Sequence, residues 1–163
     1  MRSFISNLLF AVVVFTSTAC LVPPPPGSEA QHPETSGSKE ADIVIAKLGE
    51  ERKQKGLFVP KVLVDVQEME EEEGLCLEKG ECDGDSAVRR VLQKTMWKVK
   101  REGTVVRAWF VETDRLEATP FPPELLATKN LRVAVVVARS LPRRSGMFGV
   151  LLSAEIPGDS IEH

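Results

Sequence analysis

The apolar stretch at residues 131–138 constrains the fold more than any other part of the chain. It is nearly continuous in apolar residues and carries four valines. Such a run is typical of a central β-strand that is covered on both faces. Residues 139–146, which include Pro142, predict a loop, and residues 147–156 predict a last strand that pairs with the central one as a hairpin. We therefore expect a sheet with helices packed on it.

In two further segments the side chains alternate between two faces, as is typical of β-strands. Residues 104–111 alternate between two faces that each carry apolar side chains. Residues 61–66 alternate as well, and Pro60 indicates either an edge strand or a proline at the very start of the strand. Together with the hairpin, these segments predict roughly four strands.

Two segments have the pattern of helices. Residues 40–55 carry acidic side chains in the first turn and are followed by Gly56, which is typical of a helix end. A second helix is predicted from a cap at Asp85 or Ser86 to about residue 101, because its apolar residues recur at helical spacing. The predicted fold class is therefore α/β (α+β), with about two helices packed on a roughly four-stranded sheet that ends in a β-hairpin.

The first 19 residues have the features of an export signal. Arg2 supplies a positive charge, residues 4–15 are mostly apolar, and small residues follow up to Ala19. The apolar run is shorter than the roughly 20 residues that a membrane-spanning helix needs. We therefore predict a signal peptide that is cleaved between Ala19 and Cys20.

Residues 17–20, Ser-Thr-Ala-Cys, resemble the lipobox of bacterial lipoproteins. The resemblance implies that Cys20 becomes the lipidated N-terminus, although Ser17 stands where the family usually has an aliphatic residue. The alternative is an ordinary signal peptide that happens to precede a cysteine. Leu21 in place of Asp favours the outer membrane, so we expect an exported protein that a lipid anchors to the cell envelope.

The chain of 163 residues has room for one folded domain. Four consecutive prolines, at positions 23–26, begin a segment that lacks large apolar side chains and has the composition of a stiff spacer. The predicted organisation is a signal peptide at 1–19, the lipidated cysteine and a Pro/Gly/Ser-rich tether at 20–39, a single α/β domain at 40–157 and a tail at 158–163.

The net charge of −3 hides an asymmetry along the chain. Residues 40–85 contain 14 acidic and 6 basic side chains, whereas residues 86–115 contain 8 basic and 3 acidic ones. A domain with this balance is not a binder of polyanions, so we expect no nucleic-acid partner. The acidic run at residues 68–73 is interpreted as a solvated surface, and it lacks the loop pattern of a calcium site.

Cys76 and Cys82 are the cysteines that remain beyond position 20. In an exported chain they favour a disulfide bond, and Gly80 suits the turn between them. A structural disulfide is our prediction, while free thiols and a redox function are the alternatives.

The sequence contains no recognisable catalytic, metal-binding or cofactor-binding motif. Both histidines, His32 and His163, lie outside the predicted domain, which excludes Ser-His and Cys-His catalysis within it and zinc sites that need histidine. No Gly-rich phosphate loop is present. We therefore predict a protein that is not an enzyme and that needs no cofactor; an enzyme acting through paired carboxylates is a less favoured alternative.

Residues 52–57, followed by Leu63 and Asp65, resemble the opening helix of CAP domains (cysteine-rich secretory, antigen 5 and pathogenesis-related 1 proteins). The end of the chain is also similar, since Leu125-Leu126 leads into the last hairpin. Gly49 stands where the family has Asn, and the family's paired His and Glu pocket has no histidines here. The resemblance implies an α-β-α sandwich without the usual metal pocket.

Our leading functional prediction is an envelope lipoprotein whose small non-catalytic domain binds an envelope protein or glycan. Candidate contact residues are Arg139, Arg143 and Arg144 in the loop before the last strand. The alternative is a degenerate CAP-like domain that binds lipid or glycan in a groove. The sequence leaves the oligomeric state open.

Overall fold

The structure is a computed structural model that describes residues 38–98 and 103–158. The predicted signal peptide, its cleavage site, Cys20, nearly all of the tether and the end of the tail lie outside the described residues. The end of the second predicted helix, at residues 99–101, also lies outside them. No helix within the described ranges is long and apolar enough to cross a membrane.

The described residues form three helices and a four-stranded mixed sheet. In chain order the elements are α1 (Lys39–Gln54), β1 (Lys61–Val62), α2 (Val64–Lys79), α3 (Gly84–Lys98), β2 (Thr104–Thr113), a single 3-10 turn (Leu116–Ala118), β3 (Arg132–Ala138) and β4 (Phe148–Pro157). The strand order in the sheet is β1-β3-β4-β2. β1 pairs with β3 in parallel, and β4 is antiparallel to both of its neighbours. The predicted α+β class and the final hairpin are therefore confirmed.

Strand β3 is buried on both faces, as its continuous apolar pattern predicts. The side chains of Val133 and Val135 lie on the face of the sheet that α1 covers. Those of Ala134 and Val136 lie on the opposite face, which α2 and α3 cover. The neighbouring strand β4 alternates in the same way, with Leu152 on the first side. The described elements therefore form three layers, with the sheet between α1 and the pair α2–α3.

The prediction of a strand over residues 61–66 was wrong beyond Val62. The backbone N–H of Leu63 still donates to Val133 of β3, but the carbonyl of Leu63 then accepts from residues 66 and 67 and begins α2. The Glu-rich stretch that follows favours a helix, and its buried positions recur at helical spacing. A third helix thus replaces the end of the predicted strand and the acidic run.

The ends of the other two helices follow local chemistry. Helix α1 matches its predicted range closely, and Gly56 adopts a φ of 72° just after its end. Helix α3 is capped by Asp83 and not by Asp85 or Ser86, because the Asp83 carboxylate accepts the backbone N–H of Ser86 at 2.8 Å. This bond satisfies one of the N–H groups that a helix leaves free at its start.

Candidate functional site

The two cysteines of the domain join the end of α2 to the segment before α3. The Sγ atoms of Cys76 and Cys82 lie at disulfide-bonding distance, with Cα atoms 5.5 Å apart. Gly80 makes the turn between them with a φ of 70°, and the backbone N–H of Glu81 donates to the carbonyl of Cys76 at 3.0 Å. The predicted pairing is confirmed.

A cleft of about 500 Å³ lies beside this cysteine pair and is called the hairpin cleft below. Its apolar lining comes from Leu77, Phe110 and Leu141, which belong to α2, β2 and the loop between β3 and β4. Its polar lining includes Glu81, Cys82, Asp83, Ser86, Glu112, Arg143 and Arg144. The sheet, a helix start and the hairpin loop therefore converge on one concavity.

The ring of Phe110 has little space around it. A Cβ atom at Gly84 would overlap this ring, and a Cβ atom at Gly149 would approach it at 2.8 Å. Both glycines therefore allow α3 and β4 to pack closely against the aromatic side chain that helps to line the cleft.

The three arginines of the predicted contact loop have different surroundings. Arg139 pairs with Glu40 at 2.9 Å, and Arg144 pairs with Glu112 at 3.3 Å. Arg143 is exposed at the hairpin cleft and makes no ion pair with the part of the chain that the structure describes. The structure thus brings Arg143 and Arg144 to the cleft, while Arg139 is tied to α1.

A second cleft, of about 430 Å³, is called the interhelical cleft below. It is lined by residues of α2 and α3, among them Glu73, Cys76, Arg90 and Lys94. Lys94 pairs with Glu73 at 2.8 Å and with Glu72 at 2.9 Å. These hydrogen bonds, first to Glu73 and then to Glu72, raise the pKa of the Lys94 ammonium.

The Arg90 guanidinium lies close to the sulfur of Cys76. Its Nη1 atom is 3.4 Å from Cys76 Sγ and 3.5 Å from Glu73 Oε2. Glu73, Cys76 and Cys82 also place their potential ligand atoms within 4.8 Å of one another. Sulfur atoms in a disulfide are not thiolates, and Glu73 already faces two cations, so this group is not arranged to hold a metal ion.

Glu70 and Glu73 are buried, which corrects the interpretation of the acidic run as entirely solvated. Burial raises the pKa of Glu70 to about 7, although hydrogen bonds from Ser153 and Thr95 oppose the shift. Ser153 Oγ lies 2.8 Å and Thr95 Oγ1 lies 3.0 Å from Glu70 Oε1. The exposed members of the run are Glu68, Glu71 and Glu72.

The burial of the two glutamates could have been predicted from the helical spacing of residues in this segment. Val66, Glu70, Glu73 and Leu77 recur at spacings of four, three and four residues, so they share one face of a helix. The two carboxylates do not share an accessible site, however. Glu73 lines the interhelical cleft, whereas Glu70 is fully buried and lines neither of the two clefts.

Comparisons with known proteins assign neither a family nor a function to this chain. No protein-family model matches the chain, and neither a curated protein nor a solved structure matches it. The α/β/α arrangement of the described residues and the two clefts named above are therefore the basis of the functional proposal.

Proposed function

We propose that this chain is a lipid-anchored envelope protein whose domain is a non-catalytic binding module, with the hairpin cleft as its contact site. The observation that carries the proposal is a cleft of about 500 Å³, mainly polar in its lining, that sets the apolar side chains of Phe110 and Leu141 beside the exposed cation of Arg143. This volume lies within the range of roughly 300–1,000 Å³ that is usual for ligand sites.

The chemistry of the cleft favours a protein segment with one apolar and one acidic side chain. Phe110 and Leu141 offer an apolar surface to such a segment, and Arg143 offers a guanidinium that makes no ion pair with the described residues. The carboxylates of Glu81, Asp83 and Glu112 also line the cleft, so the acidic side chain of the partner must reach Arg143 itself. Arg144 contributes less because Glu112 already neutralises it. A glycan is less favoured, because the described lining provides only one aromatic ring for a sugar to stack on.

The anchor rests on the lipobox-like residues before Cys20 and on the composition of the tether. In polyproline II geometry, residues 21–37 span at most about 50 Å. A domain on such a tether stays close to the bilayer and reaches partners in the same membrane or just above it. Lipid chains supply the membrane affinity without any spanning helix.

The anchor is tested by detergent phase partitioning of the full-length protein. We expect the wild-type chain to enter the detergent phase and the Cys20→Ala chain to stay in the aqueous phase, because the variant has no acceptor for the lipid. Equal partitioning of the two chains would contradict the anchor and leave the binding module as a separate question.

The contact site is tested by site-specific photocrosslinking in cells that make the full-length protein. A benzophenone amino acid at position 142, which lines the cleft and leaves Arg143 in place, is expected to give a defined protein adduct, whereas the same probe at position 139 is the matched control. Glu112→Gln, which frees Arg144, should leave the adduct in place. Adducts of equal yield from both positions, or an adduct that glycan-degrading enzymes remove, would contradict the proposal.

A degenerate CAP-like domain is the second candidate. It is favoured by helices on both faces of the sheet and by the position of Arg52 and Gly56, which lie at the end of α1 as the resemblance implies. This candidate expects a lipid or glycan in a groove. Mass spectrometry of an organic extract of the purified protein distinguishes it, since a stoichiometric lipid would support this candidate over the protein-binding module.

A further inference from the structure

Cys76 and Cys82 line different clefts, and the two sulfurs of the bond have unlike surroundings. Cys76 is only 7% exposed and lines the interhelical cleft beside Arg90. Cys82 is only partly buried and lines the hairpin cleft. Cys82 is thus the more exposed of the two cysteines, while Cys76 lies beside the positive charge of Arg90.

We propose that this cysteine pair is a thiol–disulfide exchange site, opened by a small thiol that attacks Cys82. The thiolate of the incoming thiol forms a new S–S bond to Cys82 Sγ, and the bond between Cys82 and Cys76 breaks. Cys76 Sγ leaves with the electron pair as a thiolate. A second equivalent of the thiol then attacks the mixed disulfide, which releases the oxidised small thiol and leaves both cysteines of the protein reduced.

The direction of attack follows from access and from charge. Exchange is faster when the attacked sulfur is accessible and when the departing thiolate is stabilised. Cys82 meets the first condition better, because it is only partly buried at the hairpin cleft, whereas Cys76 is buried. Cys76 meets the second, because Arg90 Nη1 lies 3.4 Å from its sulfur and a nearby cation stabilises a thiolate.

The other charged groups around Cys76 do not cancel this effect. Glu73 is the nearest carboxylate, and its charge opposes a thiolate, but Lys94 holds it at 2.8 Å. The same cleft is lined by Lys79 and by the exposed carboxylates of Glu72 and Glu81. Arg90 is the cation in direct contact with the sulfur and is therefore the residue that the proposal singles out.

Reduction of this bond would remove the covalent link between the end of α2 and the segment before α3. Residues 82–84 belong to the wall of the hairpin cleft, so the redox state would alter that wall. The exchange chemistry itself does not rest on the proposed binding function. Its test therefore uses thiol chemistry alone and is unaffected by whether a binding partner exists.

The experiment follows glutathione adducts on the full chain in detergent, with acid quenching, alkylation and peptide mapping that reports Cys76, Cys82 and Cys20 separately. We expect the first adduct on Cys82. Arg90→Gln should slow the opening by about tenfold, because the departing thiolate loses its cation. Arg90→Lys should restore much of the rate, and the exposed neighbour variant Arg89→Gln is the matched control.

Two outcomes would overturn the proposal. One is a first adduct on Cys76, which the wild-type chain reports without any variant. The other is an equal opening rate in the wild-type and Arg90→Gln chains when circular dichroism shows both to be folded. A lower Cys76 thiol pKa in the reduced wild-type chain than in reduced Arg90→Gln would independently support the role of the guanidinium.

Discussion

The two faces of the sheet are built on different principles. The face covered by α1 is packed with aliphatic side chains, and its buried charge, Arg52, contacts backbone carbonyls. The face covered by α2 and α3 buries three carboxylates in addition to its apolar side chains, those of Glu70, Glu73 and Glu155. The cysteine pair lies on this face as well. The first face depends on packing and permanent hydrogen bonds, whereas the second contains groups whose state changes with protons or thiols.

Arg52 shows how a charge can be buried without a carboxylate partner. Its side chain is fully buried, and it donates to the carbonyls of Phe58, Leu125, Thr128 and Lys129. Burial lowers the pKa of its guanidinium, yet a guanidinium keeps its proton at any physiological pH. These bonds tie α1 to the loop before β3 and make this contact insensitive to pH.

The largest expected effect is therefore on the α1 face. Arg52→Met should lower the free energy of unfolding by roughly 3–5 kcal/mol, because it leaves several buried carbonyls without a donor. Lys53→Met, at the exposed neighbouring position, is the control and should change little. Urea denaturation of both variants measures the difference, and a loss below about 1 kcal/mol for Arg52→Met would remove the contrast between the faces.

An intermediate effect is expected at Glu70, on the face that responds to protons. The pKa of Glu70 rises from the ordinary 4.5 to about 7 on folding. The unfolded chain therefore releases this proton at a lower pH than the folded chain does. The stabilisation is fully present below pH 4.5 and is lost as the pH rises through 7. Glu70→Gln stays neutral and should be more stable than the wild type at pH 8 by about 3 kcal/mol at most.

The test compares the unfolding free energies of wild-type and Glu70→Gln chains from pH 4 to pH 8. The difference between the two curves should be smallest at pH 4 and should grow up to about pH 7. Glu71→Gln is the matched control, because this neighbour is exposed and should follow the wild type at every pH. A constant difference between wild-type and Glu70→Gln chains would show that Glu70 does not titrate in this range.

The smallest of the three effects concerns packing on the same face. Gly84→Ala should destabilise the domain by about 1–3 kcal/mol, because the added methyl group overlaps the ring of Phe110. Combining it with Phe110→Leu should cost less than the sum of the two single changes, since the smaller side chain makes room. If the stability losses of the two single variants simply add in thermal unfolding, residues 84 and 110 are not in contact, which would contradict the packing described at the hairpin cleft.

Much of the fold could be predicted from local patterns. The burial of β3 on both faces follows from its continuous apolar run, and the ends of α1 follow from its acidic first turn and Gly56. The final hairpin follows from two apolar runs around a short loop. In each case the evidence lies within a few residues of the element, because turn geometry and side-chain period are local properties.

Helix α2 could not be predicted in the same way, because its first residues fit two periods. Val62, Val64 and Val66 alternate as a strand does, yet Val66 also begins the buried helical series that continues through Glu70. A short apolar segment of this kind is ambiguous between strand and helix. The parallel pairing of Lys61 and Val62 with β3, some 70 residues further on, determined where the strand ends.

The sequence by itself determined strands β2, β3 and β4, the first and third helices and the pairing of the two cysteines, since each depends on residues close together in the chain or on residue inventory. Tertiary structure alone decided which charges are buried and which charge lies beside the cysteine pair. Glu70 is buried because Thr95 and Ser153 supply its hydrogen bonds, and Arg90 reaches Cys76 because α2 packs on α3. The state of a charged side chain depends on its neighbours in space, and only folding brings those neighbours together.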